Sequence, residues 1–571
     1  MALAVVVGAG AGAGSVVFRW CITTFTRLLS GHADYAASAG ASNGHVPWLG
    51  PYFLLLAPVI GGLLYGPLVH RFAKEARGHG VPEVMLAVAQ RGGRISPKVA
   101  VVKTLASALT IGSGGSVGRE GPIVQIGSAL GSTLGRVAKV SEGRMRLLVA
   151  CGAAGGIAAT FNAPLAGVFF AMELILGTFS AEAFGATVLA SVTASVIGRA
   201  AFGNAAFLRL PAFRVEHLAQ YGLVALLGVI AAAVGVGFSR FLYLVEDACD
   251  WLWRGPEWLR PAVGGLALGL VLLVLPEMYG VGYPVLQEAT AGGYAVGFVL
   301  LLLGGKMLAT SLTIGIGGSG GVFAPSLFIG AMLGSAYGIG VHRLLPGAAG
   351  PVGAYALVGM GAVFAGAARA PITAVVILFE LTGEYSIILP LMLAIVLATA
   401  SSRLLTSDTI YTLKLRRRGI DLEGPALGAR IGAQQVSTVM EVLPSPLPAA
   451  TGLTDAADLL SLSGHGALPV LDEAGDYVGV VTAQAVAEAL AEQPEGAPRL
   501  VGQLAEPPAS VTVDQPLAQA LHALLSTGGT GMPVLESAHG RPVGWLSHQS
   551  ALRALHAPAQ RRRSLPRRPN A

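Results

Sequence analysis

The chain has 571 residues, 53% of them hydrophobic and only 12% charged, with a formal net charge of +6 and a mean hydropathy of +0.66. A soluble domain is about 25% charged, and residues 218–239, 307–341 and 385–402 carry no charge at all. This excludes a purely soluble protein and predicts membrane helices of about 20 residues. The three cysteines, Cys21, Cys151 and Cys249, lie in unrelated apolar contexts, which excludes a disulfide framework or a cysteine metal cluster. No nucleophile–base pair or metal-ligand cluster marks an enzyme, and no metal or cofactor is expected.

In chain order, Ala2–Phe18 is apolar and the first basic residue is Arg19. A secretory signal would carry its positive charge earlier, so this reads as the first membrane helix. Apolar segments continue to about residue 415, giving an all-α membrane domain over 1–415. A linker is expected over 416–435, a soluble α/β pair over 436–560 and a basic disordered tail over 561–571. In the soluble part, β-rich runs (467–471, 477–481) alternate with helical ones (454–460, 483–491). Lys414, Arg416, Arg417 and Arg418 follow the last apolar run. By the positive-inside tendency the soluble pair faces the cytoplasm of a multi-pass cell-membrane protein, with the basic tail near anionic lipid headgroups.

The membrane region repeats itself. Residues 111–132 (IGSGGSVGREGPIVQIGSALGS) and 314–335 (IGIGGSGGVFAPSLFIGAMLGS) are identical at 12 of 22 positions. Lys103 pairs with Lys306 at the same offset of 203, Pro164 with Pro371 and Glu173 with Glu380 at an offset of 207, and Gly80-Val81-Pro82 matches Gly282-Tyr283-Pro284. Duplicated halves with Gly/Pro-interrupted segments mark an inverted-repeat transporter fold with broken helices and a site near mid-membrane.

Each block is a glycine run followed by a proline that opens a helix, so Pro82, Pro122 and Pro325 are expected at helix starts. Helix starts carry unpaired N–H groups and partial positive charge, and several aimed at one point hold an anion without a buried cation. Glu120 lies inside one such block. Ionised, it competes with the anion for its seat; protonated, it releases the seat and carries a proton. The plainer alternative is a structural pair with Arg119 or a solvent-facing acid.

These motifs resemble those of the CLC family of chloride channels and chloride/proton exchangers. Gly118-Arg119-Glu120-Gly121-Pro122, Gly321-Val322-Phe323-Ala324-Pro325 and Phe161-Asn162-Ala163-Pro164-Leu165-Ala166-Gly167 match its blocks. The resemblance implies a homodimer with one anion path per subunit and Glu120 as the gate. It implies a central anion held by the N–H groups of Val322 and Phe323, with Ala324 beside them, and by the Tyr411 hydroxyl. It also implies an outer site at Arg119, Glu120 and Gly121.

Two positions depart from the family. Where its first block places a serine, this chain reads Gly78-His79-Gly80. His79 either donates a ring N–H to the anion or turns away and leaves backbone groups such as that of Gly80. Where many exchangers carry an inner glutamate, this chain has Leu174, which cannot relay a proton. Glu173 precedes it, but an adjacent helical residue points about 100° away, and its repeat mate Glu380 favours a structural role for both.

The soluble pair resembles tandem cystathionine-β-synthase (CBS) domains. Their nucleotide-binding pattern ends in an Asp, which is Ala485 in the first copy and Ser550 in the second. A structural, dimer-coupling role with weak or absent nucleotide binding is expected.

The expected function is transport of chloride or a similar small anion. Leu174 favours a passive channel, with a chloride/proton exchanger as the alternative. A CBS-bearing cation transporter is more distant, because cations need carboxylates and carbonyls and the glycine blocks offer N–H groups.

Overall fold

The computed structural model describes residues 1–203, 218–420, 435–491, 499–506, 510–526, 531–537 and 540–556. Most of the expected 416–435 linker and the whole 561–571 tail lie outside the described residues. The chain divides into two units, Met1–Leu422 and Glu423–Ala571.

The first unit is helical. Its first half contains α1 (Ala2–Ser30), α2 (Phe53–Phe72), α3 (Val81–Gln90), α4 (Pro97–Gly112), α5 (Glu120–Val137), α6 (Glu142–Phe161), α7 (Pro164–Phe170) and α8 (Ala181–Phe202). The second contains α9 (Ala219–Leu252), α10 (Arg260–Val274), α11 (Tyr283–Thr290), α12 (Val296–Gly315), α13 (Phe323–Leu344), α14 (Val352–Ala368), α15 (Pro371–Thr382) and α16 (Ile388–Leu405), followed by the short α17 (Thr412–Arg417). Among the described residues, eight helical stretches are long and apolar enough to cross a membrane. Leu63, Leu64, Leu266 and Leu270 stand exposed on outer faces, as lipid-facing residues do.

The repeat in the sequence is a repeat in the hydrogen bonds. Gly118 and Gly321, equivalent in the two halves, exchange N–H···O bonds of 2.8 and 2.6 Å. Two equivalent residues that bond to each other place a two-fold axis between them. The same exchange recurs nearby: Ser116 N–H donates to Thr313 Oγ1 at 3.1 Å, and Ser319 N–H to Thr110 Oγ1 at 3.2 Å. Further out, Glu380 accepts from Leu165 N and Ala166 N (3.0 and 2.7 Å) at the start of α7. Glu173 accepts from Ile372 N and Thr373 N (3.1 and 2.8 Å) at the start of α15. Each half thus caps a helix of the other. The carboxylates satisfy N–H groups that no helix turn can reach, and their charge suits the positive helix end.

Backbones approach closely where both partners are glycine. A Cβ built on Gly152 of α6 would lie 2.0 Å from the Gly127 carbonyl oxygen of α5. In the other half, one on Gly330 of α13 would lie 2.4 Å from that of Gly359 in α14. Small residues of this kind let membrane helices pack through van der Waals contact, where lipid offers no hydrophobic drive.

The second unit holds two similar three-stranded sheets. In the first, β1 (Leu447–Pro448) pairs in parallel with β2 (Ala467–Leu471), which pairs antiparallel with β3 (Tyr477–Thr482). α18 (Leu453–Ser463) and α19 (Ala483–Ala491) complete this copy. In the second, β4 (Val511–Thr512), β5 (Gly531–Leu535) and β6 (Pro542–Ser547) pair in the same way, with α20 (Leu517–Ser526) and α21 (His548–His556). Each copy has its own apolar core, around Leu447, Val470 and Val481 in one and Val511, Val534 and Leu546 in the other. Bridges Glu441–Trp545 and Val480–Glu506 tie each sheet to a segment flanking the other.

The glycine contact between α5 and α6 is testable. Gly152→Ala should destabilise the membrane unit by about 1–3 kcal/mol, the usual cost of overpacking, and lower the thermal unfolding midpoint in detergent. Gly143→Ala in the same helix, where a Cβ meets nothing within 4 Å, should leave the midpoint unchanged or raise it.

Candidate anion pathway

Four irregular segments lead into short or broken helices near the two-fold axis: residues 78–80 before α3, 113–119 before α5, 280–282 before α11 and 317–322 before α13. Pro82, Pro122 and Pro325 lie in the first turns of α3, α5 and α13. Gly80 has φ +37, and a Cβ there would lie 2.6 Å from the Gly121 carbonyl oxygen. Glycine is therefore required where α3 meets the first turn of α5.

Glu120 is the first residue of α5 and only 1% exposed. Its side chain turns back over Gly118, where a Cβ would lie 2.0 Å from Glu120 Oε2. The carboxylate accepts a 2.8 Å hydrogen bond from the Tyr283 hydroxyl and a 3.4 Å bond from Ala324 N–H. Ala324 is in the first turn of α13, so its N–H has no partner within the helix. The carboxylate therefore sits at a helix start suited to an anion.

Arg119 precedes α5 and donates through Nη2 to the Thr160 carbonyl at 3.3 Å. Its guanidinium lies 5.1 Å from the Tyr283 ring centroid and 5.8 Å from that of Phe161. It faces a cavity of about 500 Å³ also lined by Arg19, Asp34, Tyr279 and Tyr283. Tyr283 therefore touches both this cavity and the Glu120 carboxylate.

Val322 and Phe323 begin α13, and the Phe323 ring packs between Phe161 and Phe364, with centroids at 5.8 and 4.4 Å. Tyr411 is 1% exposed. Its backbone is anchored by the neighbouring Ile410, whose N–H donates to Ala367 O (2.9 Å) and whose carbonyl accepts from the Tyr243 hydroxyl (2.7 Å).

His79 is fully buried, and neither ring nitrogen has a partner among the described residues. Its ring lies 6.1 Å from that of Tyr243. A buried imidazole with both nitrogens unsatisfied is costly, and a bound anion would supply an acceptor for one ring N–H.

Two fully buried lysines shape these loops. Lys103 Nζ donates to Ala76 O and Gly78 O (2.9 and 2.6 Å). Lys306 Nζ donates to Gly280 O, Val281 O and Ser116 Oγ (3.1, 3.0 and 2.8 Å). In a planar trans peptide the next N–H points opposite to the carbonyl. Drawing Gly78 O and Val281 O toward ammonium groups thus turns the N–H groups of His79 and Gly282 away from the lysines. Among the described residues no metal-binding cluster of His, Cys, Asp and Glu occurs.

Leu174 is buried on a π-helical turn, Ala171–Leu176, that continues α7. Both oxygens of Glu173 are engaged at the start of α15, which also draws in the Thr373 hydroxyl at 2.7 Å.

The structure thus gathers Arg119, Glu120, Gly121, Ala324 and Tyr283 around one point. It sets His79 beside Tyr243, whose hydroxyl holds the carbonyl of Ile410, the residue before Tyr411. Sequence reasoning did not include Tyr283, Tyr243, Lys103 or Lys306 among the site residues. The lysine pair and the Gly282-Tyr283-Pro284 block had served only as marks of the repeat, although a charge inside a membrane segment is itself a functional signal.

The profile of the voltage-gated chloride channel family matches residues 61–403, and that of the CBS domain matches 438–492 and 501–557. A ClcB-like chloride channel protein of Ralstonia nicotianae is 36% identical over 427 residues, 74% of this chain and 97% of that protein. The H(+)/Cl(-) exchange transporter ClcA of Vibrio cholerae is 37% identical over 360 residues, 61% of this chain and 76% of that one. Among solved structures, a slow cyanobacterial Cl-/H+ antiporter superposes with a TM-score of 0.66 at 28% identity, covering 73% of this chain and 97% of that one. A eukaryotic CLC transporter covers 96% of this chain and 97% of its own, with a TM-score of 0.64 at 21% identity, and shows the shared fold. With its broken-helix repeat, its matching profile and these relatives, the chain belongs to the CLC family of anion-transport proteins and carries a tandem CBS pair.

Proposed function

We propose that this protein exchanges chloride for protons across the cell membrane, with Glu120 as both gate and proton carrier. One observation carries the reading: the Glu120 carboxylate accepts from Ala324 N–H at 3.4 Å at the start of α13. An anion using that helix start must displace the carboxylate. Protonation removes the charge that competes with chloride, so one side chain links the two fluxes. On this reading anions enter through the cavity beside Arg19 and Arg119, pass the outer site at Arg119, Glu120 and Gly121, and reach a central site. That site uses the N–H groups of Val322 and Phe323, the Tyr411 hydroxyl and the His79 ring.

The sequence reading favoured a passive channel because of Leu174. The ClcA relatives named as exchangers and the similarity to solved antiporters weigh toward exchange instead. Leucine at 174 removes one relay group, and it leaves Glu120 able to titrate.

The protein is proposed to work as a homodimer. Val192, Val196, Leu389, Met392 and Val396 on α8 and α16 expose apolar surface that a second copy could cover. The CBS pair is proposed to lie in the cytoplasm, a reading supported by the basic run after α16. Its proposed role is structural, with weak or no nucleotide binding. Ala485 and Ser550 lack the ribose-binding carboxylate, and Thr482 and Ser547 accept the N–H groups of those residues (3.1 and 3.0 Å) as helix caps.

The deciding experiment uses reconstituted protein under a chloride gradient, with and without a pH gradient. An exchanger shifts its reversal potential with the pH gradient, and chloride flux drives protons uphill. A reversal potential fixed by chloride alone would overturn the reading. Glu120→Gln should abolish proton movement while chloride flux persists.

His79 generates a separate expectation. Its unsatisfied ring N–H is proposed to donate to the central anion, so His79→Ala should weaken chloride binding by about 1.5 kcal/mol or more, as for a hydrogen bond to a charged group. His79→Ser, which keeps a donor, should lose less. Equal affinity of all three proteins by calorimetry removes His79 from the anion's ligands.

A further inference from the structure

Tyr283 opens α11, at the repeat position that Val81 occupies in the first half. It is thus a polar group added to one half of a symmetric scaffold. Its hydroxyl donates to Glu120 Oε1 at 2.8 Å, shorter than the 3.4 Å bond to Ala324 N–H on Oε2. The loop leading to it is held by Lys306, through Gly280 O and Val281 O. The face of its ring lies under the Arg119 guanidinium at 5.1 Å. The phenol is thereby fixed at both its approach and its ring, with its hydroxyl aimed at the gate.

We propose that Tyr283 is a latch: a positioning residue whose hydroxyl holds the Glu120 carboxylate in the anion seat and so sets how readily chloride displaces it. This rests on Glu120 competing with the anion, and it adds the group that biases the competition. A phenol donating to a carboxylate makes a charge-assisted bond, stronger than one between neutral groups. The bond exists only while the side chain is in the seat, so it stabilises the closed arrangement against the open one. The latch also explains how Lys306 acts on the site without touching substrate. By drawing two carbonyls of the 280–282 loop inward, it fixes where the tyrosine begins.

The test is a double-mutant cycle on the full-length protein in liposomes, read as initial chloride efflux against chloride concentration. Tyr283→Phe removes only the hydroxyl. In the protein with Glu120 it should lower the half-saturating chloride concentration and raise the maximal rate, by a combined factor of about ten, the order expected for one charge-assisted hydrogen bond. With Glu120→Ala, where there is no carboxylate to hold, the ratio of rates with and without the hydroxyl should collapse toward one. Replacing Tyr283 with 3-fluorotyrosine, a stronger donor of nearly the same shape, should slow efflux in the protein with Glu120. That reverses the effect of Tyr283→Phe and excludes a simple packing defect. The same change in both Glu120 backgrounds would mean the hydroxyl acts on the anion or the fold, and would overturn the latch. No change in either would overturn it as well. Chloride efflux is measured without a pH gradient, so these outcomes are separate from the reversal-potential test of exchange.

Discussion

The membrane unit depends on satisfying backbone groups where helices break inside the hydrocarbon layer. There is no water to accept them, and each unpaired N–H or C=O costs several kcal/mol. The Gly118–Gly321 exchange meets this constraint at the axis itself. Around it, Thr110 and Thr313 take the N–H groups of Ser319 and Ser116, and Lys103 and Lys306 take the carbonyls of the loops before α3 and α11. Once these groups are paired, the N–H groups remaining at the helix starts are available to an ion.

Against this symmetric scaffold the site is asymmetric. The repeat aligns Glu120 with Phe323, Arg119 with Val322 and Val81 with Tyr283. One half therefore supplies a carboxylate, and the other supplies the helix start and the phenol that receive it. Phe323 packs among Phe161 and Phe364, where a second carboxylate would have no partner. The duplication builds a frame, and the chemistry comes from the positions at which its copies differ.

How much of this was legible beforehand follows from the range of each signal. Membrane helices, the repeat and the proline-marked helix starts are local or periodic, and the sequence displayed them directly. The expected runs at 467–471 and 483–491 correspond to β2 and α19. The helix expected over 454–460 extends to Leu453–Ser463, where Gly464 takes the left-handed conformation that ends it. Tyr283 escaped notice because its partner is 163 residues away, and nothing in Gly-Tyr-Pro says which way a phenol will point. Lys103 and Lys306 were visible as an equally spaced pair, but their role required knowing which carbonyls faced them. The lean toward a channel has a different basis. It rests on one absent relay group at Leu174, a single position, whereas the similarity to proteins named as exchangers spans most of the membrane unit.

The reciprocal capping by Glu173 and Glu380 bears on the history of the chain. Neither half is self-sufficient: alone, each would leave a helix start, at Leu165 and Ala166 or at Ile372 and Thr373, without its carboxylate. A single copy of the repeat could meet this requirement by pairing with a second copy of itself in the arrangement the two halves hold here, and joining the two in one chain lets equivalent positions differ, as Glu120 and Phe323 or Tyr283 and Val81 do.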